Sequence, residues 1–296
     1  MDTLVTHSPD FFSDDDSEST KSVSRSLGNR FLSGICITLS LLTMVPLLSI
    51  LYLVLKNGLP LLKWRVFTEL PPAAGVTGGG FGNAVLGTLV MVGLGLVVAA
   101  PLGILSAIYI NEYSPTSGMA RAVRLVAKLL TGIPSIICGV FAFAVVVASS
   151  GSFSAYAGGV ALAVLMLPTI LLTSEQALLG VQNAFREASY GLGATKFQTI
   201  IRVVLPDALP AIMTGIMLAV ARAAGETAPL IFTALFSQFW AKSLGEPTAS
   251  LSVLIYNFAT VPFPYQIQMA WTASLVLVAF VTAANIAAQL AFAKKH

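Results

Sequence analysis

An all-α membrane protein with six transmembrane helices is the fold class this chain predicts, on three observations. Of its 296 residues, 56% are hydrophobic and only 10% charged, with a mean hydropathy of +0.86; a soluble globular domain is about 25% charged. Six apolar stretches come close to, or exceed, the ~20 residues that carry a helix across hydrocarbon. Lys and Arg fall unevenly between alternate connections, as loops on the two sides of a membrane do. A water-soluble enzyme is excluded.

The chain opens with a polar stretch, SPDFFSDDDSESTKSVSRS. It has little to bury, so residues 1–30 are expected to form a disordered cytoplasmic tail. Asp14, Asp15 and Asp16 are either an interaction patch or a solvated run. No cleavable signal peptide is evident. The membrane domain then occupies 31–296, with spans expected at 31–55, 84–110, 125–148, 156–173, 208–235 and 271–293. The fourth is short and ends at the polar triplet Ser174-Glu175-Gln176.

The connections give the orientation. Lys21, Arg25, Arg30, Arg121, Arg124, Lys128, Arg186, Lys196, Arg202, Lys294 and Lys295 fall on one side. Lys56, Lys63, Arg65 and Lys242 fall on the other. The excess places both termini in the cytoplasm.

On the outer side, 71–83 reads PPAAGVTGGGFGN. It is expected to be flexible, with no core of its own, and it lacks the Gly-Lys-Ser/Thr ending of a phosphate-binding loop. The connection 236–268 has room for an amphipathic or re-entrant segment, and Trp240 and Trp271 suit interfacial anchoring. Cys36 and Cys138 read as small hydrophobes. His7 and His296 lie at the termini, so no metal ligands and no catalytic residues are expected.

The connection 174–207 is too long and too patterned for a plain loop. Ala177, Leu178, Val181, Phe185 and Ala188 recur at helical spacing, and Phe197, Ile200, Ile201 and Val204 do so again. Gly191 and Gly193 stand between the two sets, so two short helices joined by a glycine-permitted turn are expected. Pro206-Asp207 and Pro210 are expected to start the next span. Such a face must bury against something: a docking partner or, as an elbow, the bilayer surface.

The fifth span carries Arg222 and Glu226. A charge at the bilayer centre costs at least about 2.5–3.5 kcal/mol, so a polar pathway or a partner is expected there. Four residues apart, the two share a helix face and can pair. Thr227 adds a hydroxyl, and Pro229 removes the N–H that would bond the Gly225 carbonyl, which predicts a kink. Gly215, Ala219 and Ala223 form a stripe suited to close helix packing. Arg binds oxyanions bidentately, and an adjacent Glu would compete with the anion and permit release. The alternative is an Arg–Glu pair that only fixes packing or a subunit seam.

Three sets of residues carry a resemblance. Glu187-Ala188-Ser189, three residues, Gly193, nine residues, then Val203-Val204-Leu205-Pro206 resembles the EAA motif of ABC importer permeases, with Ser189 and Val203 as departures. ARAAGETAPL around Arg222 resembles the fifth-span signature of phosphate importer permeases of the PstA type. PLGILSAIYINEYSP (101–115) and TGIPSIICGVF (131–141) resemble that family's second and third spans.

The resemblance implies a type I ABC importer permease (MetI-like) fold and a permease subunit of an ATP-driven importer of inorganic phosphate in a bacterial inner membrane. The loop would insert into a cleft of an ATPase, with Glu187, Ala188, Gly193, Leu205 and Pro206 at the contact. Arg222, Glu226 and Thr227 would line the substrate path. Implied partners are a homologous second permease of the PstC type, an ATPase homodimer of the PstB type and an extracytoplasmic phosphate-binding protein of the PstS type, besides lipid; no nucleic acid is expected. The chain lacks G-x-x-x-x-G-K-[ST], so ATP-Mg is expected on the ATPase and no cofactor on this chain. Another oxyanion as cargo (sulfate, molybdate or phosphonate), and a non-transporting phosphate-signalling scaffold, stand as alternatives.

Overall fold

A computed structural model describes residues 15–292. Among them every regular element is helical. The chain divides into two compact units, through Leu53 and from Val54 onward.

The first unit is most of α1 (Asp15–Gly58). Its side chains from Leu32 onward are apolar all round and exposed; Leu32, Ile37, Leu42 and Leu47 are each at least 61% exposed. A helix apolar on every side belongs in hydrocarbon or against another subunit. The helix starts at Asp15, not near residue 31, so 15–30 are helical where a disordered tail was expected. Extending an established helix costs far less than nucleating one. Asp14 lies outside the described residues, as do His7 and His296.

The second unit is the bundle. From residue 82 onward its helices are α2 (Gly82–Tyr113), α3 (Gly118–Gly132), α4 (Ser135–Ser150), α5 (Ala155–Leu179), α6 (Asn183–Gly191), α7 (Lys196–Ala224), α8 (Ala228–Thr233), α9 (Leu251–Ala259) and α10 (Pro264–Phe292). Among the described residues five helices, α1 included, are long and apolar enough to cross a membrane, and six spans are reached if α3 and α4 count as one. That pair is bent by 106°, so the expected third span is not straight. Pro134 bars the preceding residue from helical conformation, and Ile133 is extended at φ −74°, ψ 134°.

α2 and α5 pack along most of their length. Glycine permits the approach: a Cβ on Gly103 would sit 2.9 Å from Ile170 Cγ2. Their interface and α7 share a core that includes Met91, Leu162, Met166, Ile170, Ile212 and Ala219. The fourth span is longer than expected. α5 runs on through Ser174-Glu175-Gln176, because the buried Glu175 carboxylate is neutralised by Arg124 at 2.5 Å.

A second core gathers Val66, Phe81, Leu251, Leu254, Phe258 and Met269. Here the Gly-rich segment departs from expectation: it is tied down. Gly80, Phe81 and Gly82 donate backbone hydrogen bonds to Leu70, Val66 and Glu69 at 2.9, 2.7 and 3.1 Å. The glycines let this segment touch the short helix Arg65–Thr68, since a Cβ on Gly80 would lie 2.7 Å from the Val66 backbone. The following connection holds α9, whose first N–H donates to Thr88 Oγ1 on α2 at 2.9 Å.

Candidate functional site

Arg222 lies in the last turn of α7, which ends at Ala224. The expected fifth span is therefore broken, not merely kinked. Gly225, Glu226 and Thr227 separate α7 from α8, with Pro229 in the first turn of α8. The missing Pro229 N–H accounts for the place of the break. A cation in the last turn also complements the helix dipole. The small-residue stripe is buried, with Gly215 packed on Thr173 of α5.

The break is held from two sides. Ser252 of α9 donates from Oγ to the Glu226 carbonyl at 2.8 Å. Gly139 of α4 packs on Pro229 so closely that a Cβ would come within 2.6 Å of its Cα. Thr227 is half-buried at the start of α8, and its carbonyl accepts from Leu230 and Ile231.

Two buried Arg–Glu pairs show how firmly this bundle can hold a guanidinium. Arg124 is 25% exposed and meets Glu175 through Nε at 2.5 Å, the Pro115 carbonyl through Nη1 at 2.9 Å and the Ile110 carbonyl through Nη2 at 3.0 Å. Arg186 is 15% exposed and meets Glu112 at 2.8 Å and three further acceptors. Arg222 is different. It is 45% exposed and meets Glu226 through Nε at 3.5 Å, the outer limit of a hydrogen bond. A guanidinium so loosely held keeps its fork available to a tetrahedral oxyanion.

At the other end of α7 lies the patterned connection. Ala177 and Leu178 belong to α5, so the first short helix is only α6. Glu187 and Ala188 are exposed on α6. Gly193 has φ +80° and forms the left-handed residue of a Schellman motif: Gly193 N donates to Tyr190 O at 2.9 Å and Ala194 N to Ser189 O at 3.2 Å. Thr195 and Gln198 then cap α7 reciprocally. Ser189, the departure from the EAA pattern, is buried and bonds Thr199 hydroxyl to hydroxyl at 2.9 Å, tying α6 to α7. Phe185, Leu192 and Phe197 present exposed apolar surface, Leu192 at 90%.

The expected second short helix, with a new span starting at Pro206, is one continuous helix instead. A π turn over Ile200–Val204, where Leu205 N reaches back to Ile200 O, sets Pro206 into the helix. Widening frees the acceptor that a proline could not satisfy. Leu205 is half-buried and Pro206 exposed. The structure thus brings Arg222, Glu226 and Thr227 together, and separately Glu187, Ala188 and Gly193. The two groups sit toward opposite ends of α7, with Pro206 and Arg222 about 24 Å apart along its axis.

Sequence reading missed the Arg124–Glu175 and Arg186–Glu112 pairs, whose partners lie 51 and 74 residues apart.

A family model described as binding-protein-dependent transport system inner membrane component matches residues 99–294. The chain is 39% identical over 265 residues to the phosphate transport system permease protein PstA of Yersinia pestis, covering 88% of this chain and 90% of that one. It is 36% identical over 271 residues to PstA of Haemophilus influenzae, covering 92% and 96%. It is 35% identical over 241 residues to the probable PstA of Methanocaldococcus jannaschii, covering 81% and 84%. Among solved structures it resembles the bacterial alginate ABC transporter in complex with an alginate-bound periplasmic protein (TM-score 0.62, 17% identity, 90% and 95% covered). It also resembles the inward-facing MetNI methionine ABC transporter (TM-score 0.58, 23% identity, 71% and 91% covered). At those identities the likeness is one of fold.

Proposed function

The chain belongs to the family of binding-protein-dependent transport system inner membrane components, and from that premise we propose that it is the PstA-type permease subunit of an ATP-driven importer of inorganic phosphate. The open, singly held Arg222 at the break between α7 and α8 is the observation that carries this reading. Phosphate presents oxygens that match a guanidinium fork. Glu226 competes for the same guanidinium at 3.5 Å, which keeps the site from holding its anion too tightly. Thr227 offers a further polar group at the mouth of α8.

The remaining parts follow from the chain's own surfaces. α6 and the Gly193 turn dock in a cleft of a PstB-type ATPase homodimer, where Glu187 meets a basic side chain. Ala188, Leu205 and Pro206 shape that contact. ATP-Mg is bound and hydrolysed there, and this chain carries no cofactor and no catalytic group. A homologous PstC-type permease completes the pathway, and a PstS-type binding protein delivers phosphate from outside. Closure of the ATPase pushes on the docked loop and rocks the core from inward-facing to outward-facing; phosphate enters near Arg222, and hydrolysis resets the core. The protein sits in a bacterial inner membrane with both termini in the cytoplasm, a reading supported by the asymmetry of Lys and Arg.

The test is radiolabelled phosphate uptake in cells lacking this subunit, restored with wild type or Arg222→Gln at matched membrane levels. Wild type is expected to restore uptake and the variant to lose at least about tenfold, the low end of losing a charged hydrogen bond. Equal uptake by the two refutes the role of Arg222. If wild type restores none, phosphate is not the cargo, and sulfate, molybdate and phosphonate are tried next.

A further inference from the structure

Adjacent residues on α6 face opposite ways. Glu187 is exposed, whereas the Arg186 side chain is 15% exposed and turned into the bundle. Its guanidinium joins three elements. Nη2 donates to Glu112 Oε1 at 2.8 Å, in the π turn Tyr109–Tyr113 that ends α2. Nη2 also donates to the Leu178 carbonyl at 2.9 Å, and Nη1 to the Val181 carbonyl at 2.7 Å. Leu178 lies in the last turn of α5, and its carbonyl also accepts from Val181 N at 3.3 Å. Asn111 donates a further bond to Glu112 Oε1 at 2.9 Å. Glu112 is 7% exposed. Nearby, Lys196 at the start of α7 lies 5.1 Å over the Tyr113 ring.

Resting on the transport reading above, we infer that Glu112 and Arg186 are positioning residues for coupling: they lock α6 to the ends of α2 and α5, so a push delivered at Glu187 moves the bundle instead of bending the loop. A bare apolar contact would let α6 slide or tilt. A buried, multiply bonded fork does not, because each displacement leaves a charge unpaired. Wide helical turns recur at functional positions, and here the turn aims Glu112 at Arg186.

The experiment uses the complete importer with its ATPase and second permease, reconstituted in vesicles with external binding protein, and reads phosphate imported per ATP hydrolysed. Glu112→Gln keeps the shape and removes the charge. It is expected to lower the ratio about tenfold, a coupling loss of ordinary allosteric size, while the complex still copurifies and hydrolyses ATP. Glu112→Asp, which retains the charge, is expected to recover most of the ratio. An unchanged ratio in Glu112→Gln overturns the proposal. So does a parallel fall of import and hydrolysis, which marks a merely structural pair. If Glu112→Gln does not assemble, Arg186→Lys is read instead: a lowered ratio supports the joint, and an unchanged ratio or failed assembly overturns it. A wild-type complex that hydrolyses ATP but imports no phosphate breaks the cargo assignment alone. The joint is then read from binding-protein-stimulated against basal hydrolysis, and loss of that stimulation in Glu112→Gln is expected.

Discussion

Gly193 offers a clean separation of backbone strain from charge. Its φ is +80°, and a Cβ built on it would meet nothing within 4 Å. Gly193→Ala therefore brings no clash, only the left-handed penalty of about 1–2 kcal/mol for a residue with a Cβ. That shifts the population of the native turn by roughly 5–30-fold. Gly193→Val adds β-branching at the same backbone angle and should be worse. Asn tolerates left-handed backbone and should behave nearly as glycine does. Asp tolerates it similarly but adds a negative charge to the turn, so Gly193→Asp tests charge at the docking surface with little strain. The assay is the affinity of the detergent-purified permease pair for its ATPase, followed by phosphate uptake. The expected order is Gly and Asn tightest, then Ala, then Val, with any difference between Asp and Asn carried by charge and diminished by salt. Equal affinity for Asn and Val would refute the argument that turn geometry governs docking.

Other outcomes follow from buried contacts. Ser189→Ala removes half of a buried hydroxyl pair and strands Thr199; it should destabilise by about 1–3 kcal/mol, seen as a lower melting temperature of the purified subunit, and Ser189→Ala with Thr199→Val should recover part of it. Gly215→Ala drives a Cβ onto Thr173 and should cost about 1–3 kcal/mol by overpacking, reported by the same melt; Gly225→Ala, with nothing but the Arg222 carbonyl nearby at 3.7 Å, should be much milder.

Local pattern made part of this fold legible, and distance hid the rest. The Arg222–Glu226 pair was readable because four residues make one helical face, and Pro229 marked where the helix is disturbed, although it predicted a kink and the helix breaks after Ala224. The Gly193 turn was readable because glycine is the residue a left-handed cap prefers. The bend at Ile133-Pro134 had an equally plain signal, yet the apolar run on both sides hid it. Pro206 misled in the opposite direction: a proline usually starts or stops a helix, but the π turn at Ile200–Val204 carries α7 past it. Glu175 read as the end of a span because its neutralising Arg124 lies 51 residues away. The inward turn of Arg186 was not legible because Glu112 lies 74 residues away. No periodicity links such partners; only tertiary packing does.

The π turn in α7 makes the distance from the Gly193 turn to Arg222 a matter of angular phase as much as of length. Such a turn absorbs one extra residue without turning the flanking segments against each other. Deleting a residue within 200–204 would convert it to ordinary helix and leave Arg222 on its present side. The same deletion between Leu205 and Arg222 would swing the guanidinium about 100° around the axis, away from the break it serves. Natural variation in chain length on this helix should therefore concentrate in those five positions, where the wide turn works as an expansion joint.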